Sequence, residues 1–494
     1  MSQVSKLLVK KPFTRQAAPS PIAKDVSKVV ESVMYSEVLP PSVRMIEMTQ
    51  ADFAAEYDPR WHKIYDKSIY PDRTIMNDKG EVIGTEYISR VSFALQKMTA
   101  LKQCVHLIGN PPKLTATKES DNDLFIQYKE YRRAKGIHAA MYLGIQSALN
   151  TADGAVYFFR DKKSRLKWKV WSYDNGESLI PTYYDDGVTL KYFVRRYMST
   201  IDNSAVDTID VVDEKSVTTY AQLKDNQKTT KNKVLEFLGI KDGRWTQVSD
   251  TTAHGFTQVP VAYQRNKDVA WGDGQELVET VERTISDLRD NNAYLALGIL
   301  FLKGDIEVLP SKNRTGKVIS GEQDSDAKLI EQNDVSQGFK FEIETYLQEY
   351  YDITGTVIIR NEDLKGGDIT GAAIRNYYNP AIKYALNQAT NYHDFLNQIE
   401  SITMEGMGLE KGITTSMKGL DVISEIEVYV PANTMEVAQK IATLVGIGAI
   451  SKETAQEINE YAAPNERERI TKQIEDEERR SIESVRNQDP AIEG

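Results

Sequence analysis

The spacing of apolar positions changes period several times along this chain. From Glu86, residues Ile88, Val91, Leu95, Met98, Leu101, Val105 and Ile108 recur at steps of three and four, which predicts an amphipathic helix. Gly109-Asn110-Pro111-Pro112 stops it. A second helical stretch runs from about Asp123 to Leu149. The period then becomes two: Ala155–Arg160, Leu166–Trp171, Val188–Tyr197 and Asp207–Val212 read as strands. Thr151-Ala152-Asp153-Gly154, Asp174-Asn175-Gly176 and Asp185-Asp186-Gly187 sit between or beside them as hairpin-type turns. An antiparallel meander behind helices predicts an α+β fold.

Helical spacing returns near residue 272. Asp273 offers an N-cap with Glu276 as its partner three residues on, and Leu277, Val281, Ile285, Leu288, Asn292 and Leu295 follow at coiled-coil-like spacing. A helix over 274–297 would be about 36 Å long. Residues 299–337 read as short strands and turns of mixed charge, and helix resumes at about Glu342, ending near Gly355. The polar loop 361–370 leads into a long helix from about Gly371 to Thr403. Ile374, Tyr378, Ala381, Ala385, Tyr392, Phe395 and Ile399 mark its buried face. Pro380 lies inside it and removes a backbone donor, so a bend is expected near residues 376–380. Glu425–Val430 reads as a strand, and short helices follow, with Ser451 as an N-cap.

Composition narrows the possibilities. With 494 residues, 40% hydrophobic and 27% charged, the chain has length for roughly three domains and ample material for a core. The longest apolar run, Tyr294 to Leu302, is too short to span a bilayer, and Met1 to Lys6 shows no signal core. A single cysteine, Cys104, excludes an internal disulfide framework and a Cys-based zinc site. A net charge of -11 excludes a globally basic nucleic-acid binder, although an acidic protein can still handle DNA that it need not grip. Residues 1–30 carry six Lys/Arg against one Asp and read as a basic arm. The last thirty-one residues carry nine acids and six bases, a solvated helix or tail.

Catalytic motifs are not visible. No Gly-x-x-x-x-Gly-Lys-Ser/Thr loop occurs; Thr315-Gly316-Lys317-Val318 has the Gly-Lys pair without the upstream glycine or the following hydroxyl. His62, His106, His138, His254 and His393 are scattered and form no metal-ligand spacing. Cys104 lies among apolar helical positions and reads as a buried, inert thiol. No catalytic residue, cofactor or metal is therefore expected, and the balance moves toward a structural or binding role.

Several segments, in order, resemble tailed-bacteriophage portal proteins, the ring subunits at one capsid vertex. They are Leu101 to Pro112; Ala139 to Phe159; His254 to Val261 followed by Gly272-Asp273-Gly274; Gly367-Asp368-Ile369-Thr370-Gly371-Ala372-Ala373; and Val430-Pro431-Ala432-Asn433 followed by Gly446 to Ala455. The last, a glycine then Ile450-Ser451-Lys452-Glu453-Thr454-Ala455, is similar to the family's C-terminal region. The resemblance spans about residues 85–480 and implies a division of the chain. Residues 1–40 would be a basic arm, 41–271 a wing, 272–298 and 338–355 paired stem helices, and 299–337 a clip between them. A tunnel loop over 356–370 would follow, then a long kinked wing helix and return strand over 371–433. A crown with a charged tail over 434–494 would end the chain. The clip is short here, so the family's detailed contacts there do not carry over.

The same resemblance implies a non-enzymatic role: a closed ring of roughly twelve copies that conducts double-stranded DNA during packaging and ejection. Its partners would be other copies of itself, DNA, the terminase, the major capsid and scaffolding proteins, and later the tail or adaptor proteins, with no membrane. The ring would nucleate procapsid assembly and lie at the capsid portal vertex of the virion after assembly in the host bacterial cytoplasm. Residues 273–290 carry six acids against two arginines, and 340–352 four acids against Lys340. Glu276, Glu279, Glu282, Asp287, Asp290, Glu342, Glu344 and Glu349 would line the stem, where repulsion of phosphates lets DNA slide. Solvated helix faces are the plainer reading of the same pattern. Lys365, Gly366, Gly367 and Asp368 would form a deformable tunnel loop with one weak phosphate contact, or a simple flexible connection. Lys312, Arg314 and Lys317 would meet a clip partner, or sit on a solvated turn. Two rivals remain: another virion structural protein, such as an adaptor or capsid subunit, and a packaging nuclease or NTPase, which would need a phosphate loop and acidic metal ligands.

Overall fold

The computed structural model describes residues 49–77, 79–117, 122–201, 204–223, 245–295, 299–303, 306–308, 320–321, 326–330, 336–358, 371–417, 419–429, 434–451, 455, 469–470, 472–477 and 479–480. These divide into two compact units: 1–358 with 380–429, and 359–379 with 430–494.

The larger unit grows around helix α4. The chain enters through α1 (Gln50–Tyr57), whose Thr49 and Asp52 form a reciprocal capping box. An antiparallel hairpin follows, β1 (Arg73–Met76) with β2 (Val82–Glu86). Next come helix α2 (Leu95–Ile108), strand β3 (Lys113–Ala116) and helices α3 (Asn122–Ala134) and α4 (Ile137–Thr151). The stretch expected as one helix over 123–149 is thus two, parted at Gly136, whose φ is 65°. The helix expected from Glu86 begins only at Leu95. Its buried side also differs from the apolar spacing: Leu101 is exposed, whereas Gln96, Thr99, Gln103 and His106 are buried beside Cys104 and Leu107. Tertiary partners for those polar groups decide the face.

Thr151 to Gly154 is not a hairpin turn. It is the joint between α4 and strand β4 (Asp153–Arg160), made at Ala152 in the left-handed region with φ 65°. β4 pairs with β5 (Leu166–Trp171) on one side and β12 (Val261–Arg265) on the other. A second antiparallel sheet is a meander of β6 (Glu177–Tyr183), β7 (Leu190–Ile201), β8 (Ser204–Val212) and β9 (Ser216–Leu223). Short strands β10 (Thr246–Gln247) and β11 (Thr252–Ala253) extend it against β9. The two sheets share an apolar cluster that includes Trp171, Phe193, Val212, Val261 and Tyr263. Within it Tyr157 stacks on Trp171 at 4.4 Å between centroids, and Trp171 lies 5.9 Å from Phe193.

The long C-terminal helix is three pieces: α7 (Gly371–Ala389), a 3-10 turn over Thr390–Tyr392, and α8 (His393–Lys411). Pro380 is exposed and lies inside α7, and the 3-10 turn that separates α7 from α8 begins ten residues beyond it. Tyr392, Phe395 and Ile399 are buried as their spacing predicts. The Phe395 ring lies on the bare face of α4 at Gly144, where a Cβ would approach it to 2.6 Å. Arg132 and Tyr128 of α3 both donate to the buried Glu400 carboxylate, Arg132 Nε at 2.8 Å. After the short helix α9 (Thr414–Met417), strand β17 (Val422–Glu425) pairs with β3, three residues earlier than the strand expected at 425–430. Four further short strands, β13 to β16, belong to the insert described below. In the smaller unit the described elements include α10 (Thr434–Gly446), and the amide of Ala455 donates to Ser451 O at 3.0 Å.

Candidate stem helices and their anchor

Two helices bracket a small β insert. Helix α5 (Gln275–Leu295) leads out, and α6 (Ser336–Ile353) leads back. A 3-10 turn over Gly272–Gly274 precedes α5, so Asp273 sits within that turn. Between the helices, β13 (Ile299–Lys303) pairs antiparallel with β16 (Asp326–Ile330), and β14 (Ile306–Val308) with β15 (Ser320–Gly321). The start of α5 meets the end of α6: a Cβ on Gly274 would come within 2.6 Å of the Tyr350 ring. Glycine there lets the two helices close at their root.

That root is gripped by the polar side of α2. Thr99 Oγ1 and Tyr350 OH are 2.8 Å apart, Gln96 Nε2 donates to Gln275 Oε1 at 3.0 Å, and Gln103 Nε2 donates to Thr354 O at 2.7 Å. Lys102 Nζ donates to Val357 O at 2.6 Å. Buried amide N–H groups and hydroxyls cost free energy unless bonded, and these partners are what let the helix carry glutamines and a threonine on its buried side.

A second anchor runs along α5. The backbone amides of Ser89, Val91 and Phe93 donate to the side chains of Asp290, Ser286 and Glu282 at 2.9, 3.0 and 2.8 Å. The geometry has a simple cause. Two residues of extended chain advance about 6.6 Å, and four residues of helix advance about 6 Å. Alternate amides of 89–93 therefore meet every fourth side chain of α5 in step. This docking also explains why residues 88–93 form no helix despite their helical apolar spacing.

The eight acids expected to line a channel separate accordingly. Glu282 is buried, bound by Phe93 and by His62 Nδ1 at 2.7 Å, so it serves the anchor. Asp290 is likewise engaged by Ser89. Glu279 pairs with Lys63 at 2.7 Å, and that bond raises the lysine's pKa. Glu276 and Asp287 are exposed, Asp287 lying 3.9 Å from Arg283. Glu342, Glu344 and Glu349 of α6 are exposed as well, with Glu344 3.9 Å from Lys340. The buried side of α5 among the described side chains is Val278, Val281, Glu282 and Ser286, of which only Val281 belongs to the coiled-coil-like series. The tunnel-loop residues Lys365, Gly366, Gly367 and Asp368, the clip residues Lys312, Arg314 and Lys317, and the arm over 1–40 lie outside the described residues.

Beside the anchor, Glu56 is buried under Trp271, whose Nε1 lies 3.4 Å from its carboxylate, and burial raises its pKa to about 7. His62 Nε2 donates to Glu56 O at 2.7 Å. Burial also pushes the Cys104 thiol up to about 12, against any nucleophilic role. Among the described residues no group of histidines, cysteines and carboxylates could hold a metal ion, and no helix is long and apolar enough to cross a membrane.

Residues 59–480 match the family described as phage portal protein, SPP1 Gp6-like. The chain belongs to the phage portal proteins. None of the curated proteins matches it significantly. Membership makes this chain a component of the phage capsid, in a family that is generally structural and whose members assemble as oligomeric rings with head and tail partners. The portal match covers both stem candidates, the insert and both anchors. The anchoring amides of 89–93 and the polar face of α2 were not legible as such from sequence, because backbone donors leave no residue-type signal.

Proposed function

We propose that this portal chain forms a closed ring of about twelve copies at one capsid vertex, through which double-stranded DNA enters and leaves. The observation that carries the reading is the helix pair α5 and α6, closed at Gly274 and bracketing a compact β insert, within a chain of this family. In this reading α5 and α6 are the stem and the insert is the clip, which docks the terminase and later the tail or adaptor proteins through Lys312, Arg314 and Lys317. Glu276, Asp287, Glu342, Glu344 and Glu349, exposed on one subunit, face the passing DNA. Carboxylates there repel phosphates and make no counterion-releasing contact, so the duplex slides. Glu282 and Asp290 are left to hold the stem to the wing. The loop 361–370 touches DNA through Lys365, its adjacent glycines permitting large backbone change. Capsid and scaffolding proteins meet the outside of the ring, and the ring seeds procapsid assembly in the host cytoplasm. Hydrolysis of ATP belongs to a separate motor.

The test is imaging of the purified full chain. Top views should show a ring with a central hole. A monomer or dimer at every concentration in native mass spectrometry overturns the reading. Replacing Gly366 and Gly367 by valine should leave assembly intact and impair packaging, and Lys365→Glu should do so more mildly, since it alters one screened contact per subunit. Normal packaging by both variants would make the loop a connector only.

A further inference from the structure

The hairpin of β1 and β2 is built in a way that the single subunit does not use. Its strands form a two-stranded sheet of their own. Every residue of β1 and four of the five in β2 are exposed. The strand ends beside its polar turn are nonetheless apolar: Met76, Val82 and Ile83 are 60%, 63% and 64% exposed, and Tyr87 just beyond is 75% exposed. An isolated two-stranded hairpin is marginal in water, and soluble proteins rarely leave contiguous apolar surface uncovered.

This hairpin is also held ready at both ends. At the tip Asn77 Oδ1 accepts from the amides of Lys79 at 3.0 Å and Glu81 at 2.9 Å. At the root Asp72 accepts from Lys67 Nζ at 2.8 Å and Arg90 Nη2 at 2.7 Å, and Arg90 also reaches Tyr70 O and Ile88 O. The next residues, 89–93, are the segment bonded along α5. The arm is therefore preorganised, and a partner gains its apolar strand ends without first ordering them.

We infer that the hairpin 73–86 is an arm that packs Met76, Val82 and Ile83 against the next copy of this chain in the ring. The inference rests on the ring reading above. A closed ring needs a heterologous contact, in which a projecting element of each copy meets a different surface of its neighbour. An arm rooted on a stem helix has the same pose in every copy, as such a contact requires. Charge points the same way: residues 73–86 hold two bases and three acids, which favours neither DNA nor a strongly charged partner.

The experiment compares the full chain with its Met76→Ser, Val82→Ser, Ile83→Ser variant by native mass spectrometry over a concentration series. Far-UV circular dichroism and thermal unfolding at low concentration check the fold, and the exposed positions should leave both unchanged. The concentration for half-assembly should rise about a hundredfold, given three apolar side chains withdrawn from burial. Hydrogen exchange on the wild-type ring should show the amides of 82–86 slowed relative to dilute subunit. A folded variant that assembles like wild type, with those amides unprotected in the ring, overturns the arm and leaves the portal reading standing. The same result accompanied by loss of capsid incorporation assigns these strand ends to another virion protein and also overturns the inference. Absence of a ring in the wild type sinks the ring reading and the arm together.

Discussion

Helices α4 and α6 are of similar length and opposite surroundings. Of the fifteen residues of α4, ten are buried, among them Ile137, Met141 and Ile145. On α6, Tyr350 is the buried side chain among those described, and Phe341 is 72% exposed. A helix polar or exposed nearly all round draws little of its stability from its own chain. The core around α4 thus secures the subunit. Helix α6, together with the β1–β2 hairpin, exposes apolar groups that a single copy leaves uncovered. Stability and assembly are separable by mutation if this contrast is real.

The largest test is in the core. Phe395→Ala removes a ring with no exposure that fills the gap beside Gly144. It should destabilise the subunit by about 3–5 kcal/mol, measured by denaturant unfolding. A loss under about 1 kcal/mol would mean that the core around α4 is not what holds the subunit.

The second test is pH. Burial raises Glu56 from its ordinary 4.5 to about 7. The folded protein therefore keeps the proton over a range in which the unfolded chain releases it. Stability should fall as pH rises from 4.5 to 7, by on the order of 3 kcal/mol from this group. Glu56→Gln should flatten that fall, and equal slopes for the two proteins would show that Glu56 ionises freely.

What could be read in the sequence follows from which forces leave a residue pattern. The strand over 166–171 was legible because Lys167 and Lys169 are exposed between Leu166, Trp168 and Val170, so period two is written in residue type, whereas 155–160 is a largely apolar run whose two faces meet different clusters. The helix pair α5 and α6 and the insert between them were legible from helical spacing broken by turn residues, and the family from ordered short motifs. The segment 88–93 was not, because its structure comes from backbone amides bonded to Asp290, Ser286 and Glu282 far along the chain. The buried face of α2 was misassigned for a related reason, since the side-chain amides of Gln96 and Gln103 donate only to partners over 160 residues away. Acid spacing on α5 likewise could not tell an anchoring carboxylate from an exposed one.

The anchor gives a third, smaller effect. Ser286→Ala removes the acceptor for the Val91 amide, leaving a half-buried donor unpaired. The cost should be about 1–2 kcal/mol. Faster hydrogen exchange should appear at Ser89, Val91 and Phe93 and not in β7 or β8. Uniform change across the subunit would mean that the anchor and the core unfold as one.

The smallest effect on the subunit is expected on α6 itself, and it is the sharpest test of the contrast. Phe341 has no role in the core, so Phe341→Ser removes little buried area within one copy. Its unfolding free energy should stay within about 0.5 kcal/mol of wild type. Serine is close to phenylalanine in helix propensity, so the helix itself should persist. If stem helices of adjacent copies cover one another, the lost apolar contact recurs at every interface around the closed ring, and dissociation at low protein concentration should be clearly easier. The two readouts then move apart: unfolding unchanged, assembly weakened. Should unfolding shift by 2 kcal/mol or more, Phe341 would be a core residue of the subunit after all. Should neither readout move, this face of α6 would be open to solvent in the ring, and the neighbouring stem would have to be met by a different side of the helix.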